Sequence, residues 1–89
     1  MRAIITVIGK DKVGIISGVS GVLAETGVNI LDISQTILEE YFTMIMMTKL
    51  PEGKVSFDEV KEKLTQKGEE LGVSIKIQHE DIFNSMHTV

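Results

Sequence analysis

The apolar residues of this chain change period along its length, from two residues to about 3.6 and back, and that alternation limits the folds open to it. Ala3-Ile4-Ile5-Thr6-Val7-Ile8 is apolar and β-branched on both alternating faces, as expected of a central strand. Gly9-Lys10-Asp11-Lys12 interrupts it. From Val13 onward, Ile15, Ile16, Val19, Val22 and Leu23 fall on one helical stripe, with Asp11 expected as N-cap and Gly27 as the stop. Gly18 and Gly21 lie inside that helix, each costing about 1 kcal/mol relative to alanine. Glycine at such positions implies a close neighbour, and the expectation is that this helix face lies tightly on a sheet.

Asn29 to Leu38 reads as a second strand, with Leu31, Ile33 and Ile37 on one face and Asp32, Ser34 and Thr36 on the other. Tyr41 to Leu50 is a third. Only Glu39-Glu40 separates the two, which implies an antiparallel hairpin, although glutamates suit tight primed turns poorly and the loop is expected to borrow neighbours. After the turn Pro51-Glu52-Gly53, Ser56-Phe57-Asp58-Glu59 matches a capping box, and Phe57, Val60, Leu64 and Leu71 follow at helical spacing up to Gly72. Val73, Ile75 and Ile77 alternate with Ser74, Lys76 and Gln78 as a half-buried fourth strand. Ile82, Phe83 and Met86 leave room for a short C-terminal helix. The order βαββαβ predicts an α+β, ferredoxin-like sandwich: four antiparallel strands with two helices on one face.

This architecture hosts many activities, so composition has to separate them. The absence of cysteine removes disulfides and thiolate metal sites, including the cysteine pair that metal-transport domains of this topology need. A net charge of −4 is the wrong sign for a phosphate-backbone binder, and 4% aromatics leave few platforms for bases. The first strand has no aromatic, and Tyr41 and Phe42, being adjacent, face opposite ways, so RNA recognition on the sheet is disfavoured. Arg2 is the only arginine and precedes the first strand, whereas acylphosphatases of this length bind phosphate with one that follows it. His79, Glu80, Asp81 and His87 match no metal-ligand spacing, and a solvated strand end explains them better. Neither a metal nor a cofactor is expected. The N-terminal apolar run is too short for a signal-peptide core, and no stretch approaches the roughly 20 apolar residues of a membrane span, so a soluble, cytoplasmic chain is expected.

Two features remain. The loop Gly9-Lys10-Asp11-Lys12-Val13-Gly14-Ile15 opens the first helix, where free N–H groups beside two lysines favour a carboxylate. Taken alone, capping by Asp11 and close packing at Gly14 explain it better. Gly27-Val28-Asn29-Ile30 opens the second strand, and the Asn29 amide offers both a donor and an acceptor, although it also suits a turn.

Taken together, Asp11-Lys12-Val13-Gly14-Ile15, an apolar helix and Gly27-Val28-Asn29-Ile30 resemble the ACT domain family over about residues 2–79. The small stand-alone bacterial members and the glycine cleavage system transcriptional repressor are the most similar in pattern, and the tail 80–89 fits that subgroup as part of the same single domain. The resemblance implies a non-catalytic regulatory module that binds an amino acid or similar metabolite. It also implies side-by-side pairing into an eight-stranded sheet, with ligand held between the first loop of one copy and the second strand of the other. By position, Gly9, Lys10, Asp11, Lys12, Val13, Gly14 and Ile15 would supply the loop half, and Asn29 and Ile30 the strand half. Serine-binding members carry histidine, asparagine and often proline where Gly9, Asp11 and Val13 stand. An acid at position 11 favours a ligand's ammonium and repels its carboxylate, which disfavours serine. A chain this small buries only roughly 60–70% of its unfolded surface, so a homodimer is expected on burial grounds as well. Residues 29–33 and 9–15, together with Ile82, Phe83 and Met86, are expected near the seam. The competing reading is a ligand-free protein–protein interaction module, in which Met44, Met46 and Met47 would form an adaptable surface for a regulated partner.

Overall fold

The computed structural model describes residues 1–53 and 55–87, with the side chains of 86 and 87 left out. The elements are β1 (Arg2–Lys10), α1 (Ile15–Glu25), β2 (Asn29–Leu38), β3 (Tyr41–Lys49), α2 (Phe57–Leu71), β4 (Ser74–His79) and α3 (Glu80–His87). All strand pairings are antiparallel, and the strands stand in the order β2-β3-β1-β4. This is the expected ferredoxin-like sheet with its short terminal helix. No helix among the described residues is long and apolar enough to cross a membrane.

Alternation decides which face is covered. Ala3, Ile5 and Val7 on β1 and Phe42, Met44 and Met46 on β3 are buried with Ile15, Val19, Val22 and Leu23 of α1 and Val60 and Leu64 of α2. Both helices therefore share one face. Met44 and Met46 belong to that core, so two of the three methionines considered for a partner surface are packing residues. The other face is covered only at one end, where α3 leans on β1 and β4 and Ile4 is 5% exposed; Ile8, further along the same face, is 52% exposed.

Helix ends follow local chemistry. Ser56 caps α2 by accepting from the Glu59 N–H at 3.1 Å, the serine half of the expected box. Gly72 ends that helix at φ 74°, and the Val73 N–H reaches the Gly68 carbonyl at 2.9 Å. Gly27, at φ 75°, follows α1 in the same way.

Several expectations needed correction. Asp11 does not cap α1: the N-cap is Gly14 at φ 99°, with no side-chain capping bond. The Asp11 N–H instead donates to the Glu40 carbonyl at 2.7 Å, tying the loop to the β2–β3 turn. Gly18 packs against Leu71 and Lys67 of α2 rather than against the sheet, and Gly21 faces open space. The hairpin keeps its two-residue Glu39-Glu40 turn, with Leu38 opposite Tyr41, because Glu39 adopts φ 56°. A register shift between Ile30 and Asp32 leaves Leu31 without an opposite residue, a β-bulge that breaks the simple alternation. His79 is not a solvated strand end; its ring stacks on Phe57 with centroids 4.2 Å apart.

Candidate functional site

The two halves of the candidate site lie at opposite ends of one sheet. Arg2 pairs with Lys49 and Lys49 with Asn29, whereas Lys10 pairs with Tyr41 and Tyr41 with Leu38. The nine residues of β1 separate these ends by roughly 27 Å, at about 3.4 Å per residue. A single chain therefore does not bring Gly9–Ile15 and Asn29 together.

Within the loop, several candidates have structural duties. Gly9 lies on β1, where an added Cβ would come within 2.7 Å of Val73, so no side chain fits there. The Lys12 ammonium lies near Gly72, the C-terminal end of α2, where a cation complements the helix dipole. Ile15 points into the core. Gly14 is required by its φ of 99°, not by a close neighbour, since nothing lies within 4 Å of where its Cβ would be. What the loop leaves exposed is Lys10, Asp11, Lys12 and Val13, the last fully so at 100%.

Asn29 sits differently. It lines an open cleft of about 390 Å³ with Gly27, Lys49, Leu50, Pro51 and Glu52. Ile30 follows it on the strand, opposite Thr48. The cleft's walls are fixed by the fold. Leu50 is buried and its N–H donates to the Met1 carbonyl at 2.9 Å, and Thr48 donates through its hydroxyl to the Ala3 carbonyl at 2.8 Å. Gly27, held by its positive φ, approaches Pro51. Lys49, Pro51 and Glu52 were not singled out from the sequence. The two-residue hairpin places Lys49 within one position of Asn29, but the bulge that makes them direct partners leaves no mark a periodicity reading detects.

A second cleft, of about 220 Å³, lies on the α3 side of the sheet between Ile4, Asp32, Ile33, Ser34, Ile45, Met47 and Phe83. It is lined mainly by apolar side chains and lacks a pair of opposite charges. Among the described residues no group of three or more histidines and carboxylates is placed to hold a metal ion.

The strand that carries Asn29 is the sheet's edge. β2 is exposed along all ten residues, including Ile30, Leu31, Ile33, Ile37 and Leu38. A long, apolar edge with unpaired backbone groups is a template for another strand.

Comparison with known proteins agrees with this frame. A UPF0237 protein of Clostridium acetobutylicum is 71% identical over 89 residues, covering 100% of both chains. The solved structure of an ACT domain protein from Streptococcus pneumoniae is 51% identical, covers 93% of each chain and superposes with a TM-score of 0.81. A structure assigned as a glycine cleavage system transcriptional repressor, 22% identical, shares the fold at a TM-score of 0.77 over 89% of this chain and 47% of that one. Residues 2–78 match the ACT domain, the span of the whole βαββαβ frame, and the chain belongs to that family of regulatory modules.

Proposed function

We propose that the protein is a homodimeric sensor of an amino acid or similar small metabolite, assembled through β2. The observation that carries this reading is the exposed β2 edge with a ligand-sized cleft at one end and the Gly9–Ile15 loop tethered near the other. If two β2 strands pair antiparallel, the Asn29 end of one copy meets the Leu38 end of its partner. The Asp11–Glu40 hydrogen bond holds the loop beside that Leu38 end. Two copies then unite what one keeps apart: Lys10, Asp11, Val13 and Gly14 from one chain, Asn29 and Ile30 from the other.

The energetics are adequate without being generous. Five apolar side chains on β2 retain between 37% and 72% of their exposure. Full burial of such a side chain contributes about 1.5–3 kcal/mol, so roughly 1 kcal/mol each remains to be gained. Five from each copy give at most about 10 kcal/mol, set against an estimated cost of association of about 4–15 kcal/mol. The strand-to-strand hydrogen bonds, about 0.5–1.5 kcal/mol each, then tip the balance toward a pair.

The test is a thermal-shift panel of the twenty amino acids with sedimentation on the same samples. Binding at one hundred times Kd adds about 2.7 kcal/mol, or roughly 10–20 °C in a domain this small. Asn29→Ala is expected to abolish the shift. A panel with no shift, or a chain that sediments as a monomer at micromolar concentration, would overturn the proposal. The competing interaction-module reading gains from that outcome only if a protein partner binds unaltered by any metabolite.

A further inference from the structure

We infer that Lys49 and Glu52 form the charge-reading pair of the Asn29 cleft, so that its ligand is a free α-amino acid with both its carboxylate and its ammonium unblocked. This deepens the reading above and rests on it. Asn29 and Lys49 are direct partners across the β2–β3 ladder, which places their side chains on one face of the sheet. Two residues on, the turn after β3 brings Glu52 to the same cleft. Opposite charges that share a cleft usually pair with each other. Among the described residues the ion pairs are Arg2–Glu80, Lys63–Glu25 and Lys67–Glu70, and neither Lys49 nor Glu52 takes part. Each keeps its charge available within reach of one small molecule.

A zwitterion satisfies both. Its carboxylate accepts from the Lys49 ammonium, its own ammonium donates to the Glu52 carboxylate, and the Asn29 amide serves either end. A purely anionic metabolite would meet Glu52 as a like charge, and a purely cationic one would meet Lys49 in the same way. The volume, about 390 Å³, lies near the lower end of ligand pockets, which run to roughly 300–1,000 Å³. The walls at Leu50 and Gly27 are held by the backbone: the Leu50 N–H donates to the Met1 carbonyl and the Gly27 N–H to the Ala24 carbonyl.

The experiment is a cross of ligand and protein variants by calorimetric titration. The amino acid giving the largest thermal shift, its amide and its N-acetyl derivative are titrated into the parent protein, Lys49→Met and Glu52→Gln. Each variant is also checked by sedimentation and a thermal melt. In the parent, blocking either end of the ligand is expected to weaken binding at least tenfold. Lys49→Met should bind acid and amide alike while still rejecting the N-acetyl form, and Glu52→Gln should do the reverse. The inference fails if the parent accepts the blocked ligands as tightly as the free one. It also fails if both variants keep the parent's discrimination, including where Lys49→Met weakens only the dimer. In these cases the metabolite-sensor reading survives. A parent that binds no amino acid in the panel overturns that reading and this inference together.

Discussion

Gly21 and Gly68 both sit inside helices, yet alanine is expected to act with opposite sign at the two. Around Gly21, on the exposed side of α1, nothing lies within 4 Å of where a Cβ would be. Alanine there removes only the backbone-entropy penalty of glycine, about 0.5–1 kcal/mol, which corresponds to roughly 3–6 °C in the melting temperature. At Gly68 the same methyl would come within 2.7 Å of the Val73 carbonyl oxygen and 3.3 Å of Ile75 Cγ1. That oxygen is backbone, and the Val73 N–H is already bonded to the Gly68 carbonyl at 2.9 Å, so relief requires α2 and β4 to separate. Overpacking of this kind costs about 1–3 kcal/mol, and a rigid backbone contact belongs at the upper end. After the propensity gain a net loss of about 1–2 kcal/mol remains, a fall of roughly 5–15 °C. Gly18→Ala is the internal control: its contact at 2.9 Å is the Leu71 Cδ1 tip, which swings aside, and the change should be close to neutral. Thermal and urea unfolding at one fixed protomer concentration would measure all three, since an associating chain has a concentration-dependent midpoint. A Gly68→Ala protein as stable as its parent, or a Gly21→Ala protein less stable, would refute the reasoning.

Glu39 holds a left-handed φ of 56° in the hairpin turn. Glu39→Gly should therefore stabilise by up to about 1 kcal/mol in urea unfolding, and a loss would show that the turn is not strained. Ser56→Ala removes the cap on α2 and should lower stability by about 0.5–2 kcal/mol, checked by the same titration; no loss would mean that the bond to Glu59 is not maintained in solution. Ile33→Glu places two carboxylates near the axis of a paired β2 edge and should shift sedimentation to monomer while the melt of the fold persists. A dimer of unchanged strength would argue that association uses another surface.

Much of the fold was legible because each element repeats its signal. Ile15, Val19, Val22 and Leu23 declare the covered stripe of α1 four times over, and Ser56 with Gly72 marks both ends of α2. The errors cluster where a distant group competes with local chemistry. Asp11 has the side chain of a cap, but its backbone N–H is taken by Glu40, and Gly14 fixes the helix start through its φ alone. Gly18 signals a close neighbour, yet nothing local says whether that neighbour is a sheet or Leu71 of the second helix. Of the candidate site, Asn29 could be found from its neighbours, whereas Lys49 joins it only through strand register and Glu52 only through the turn after β3. The packing of Gly9 against Val73 leaves no mark in the sequence either, since Val73 lies beyond the second helix.

The separation of the loop and Asn29 to opposite ends of the sheet has a stoichiometric consequence. Under the proposed pairing, a two-fold symmetric assembly contains two equivalent pockets, each drawing one half from either chain. Every chain is thus half of two receptors and the whole of none. Metabolite binding and assembly then obey one linkage relation: whatever factor the dimer adds to affinity, the bound metabolite returns to the dimer. Dilution weakens the response even at constant metabolite, so the abundance of the chain becomes an input alongside the metabolite itself. A mixed pair formed with a related chain would carry two unlike pockets, and one assembly could answer two different signals.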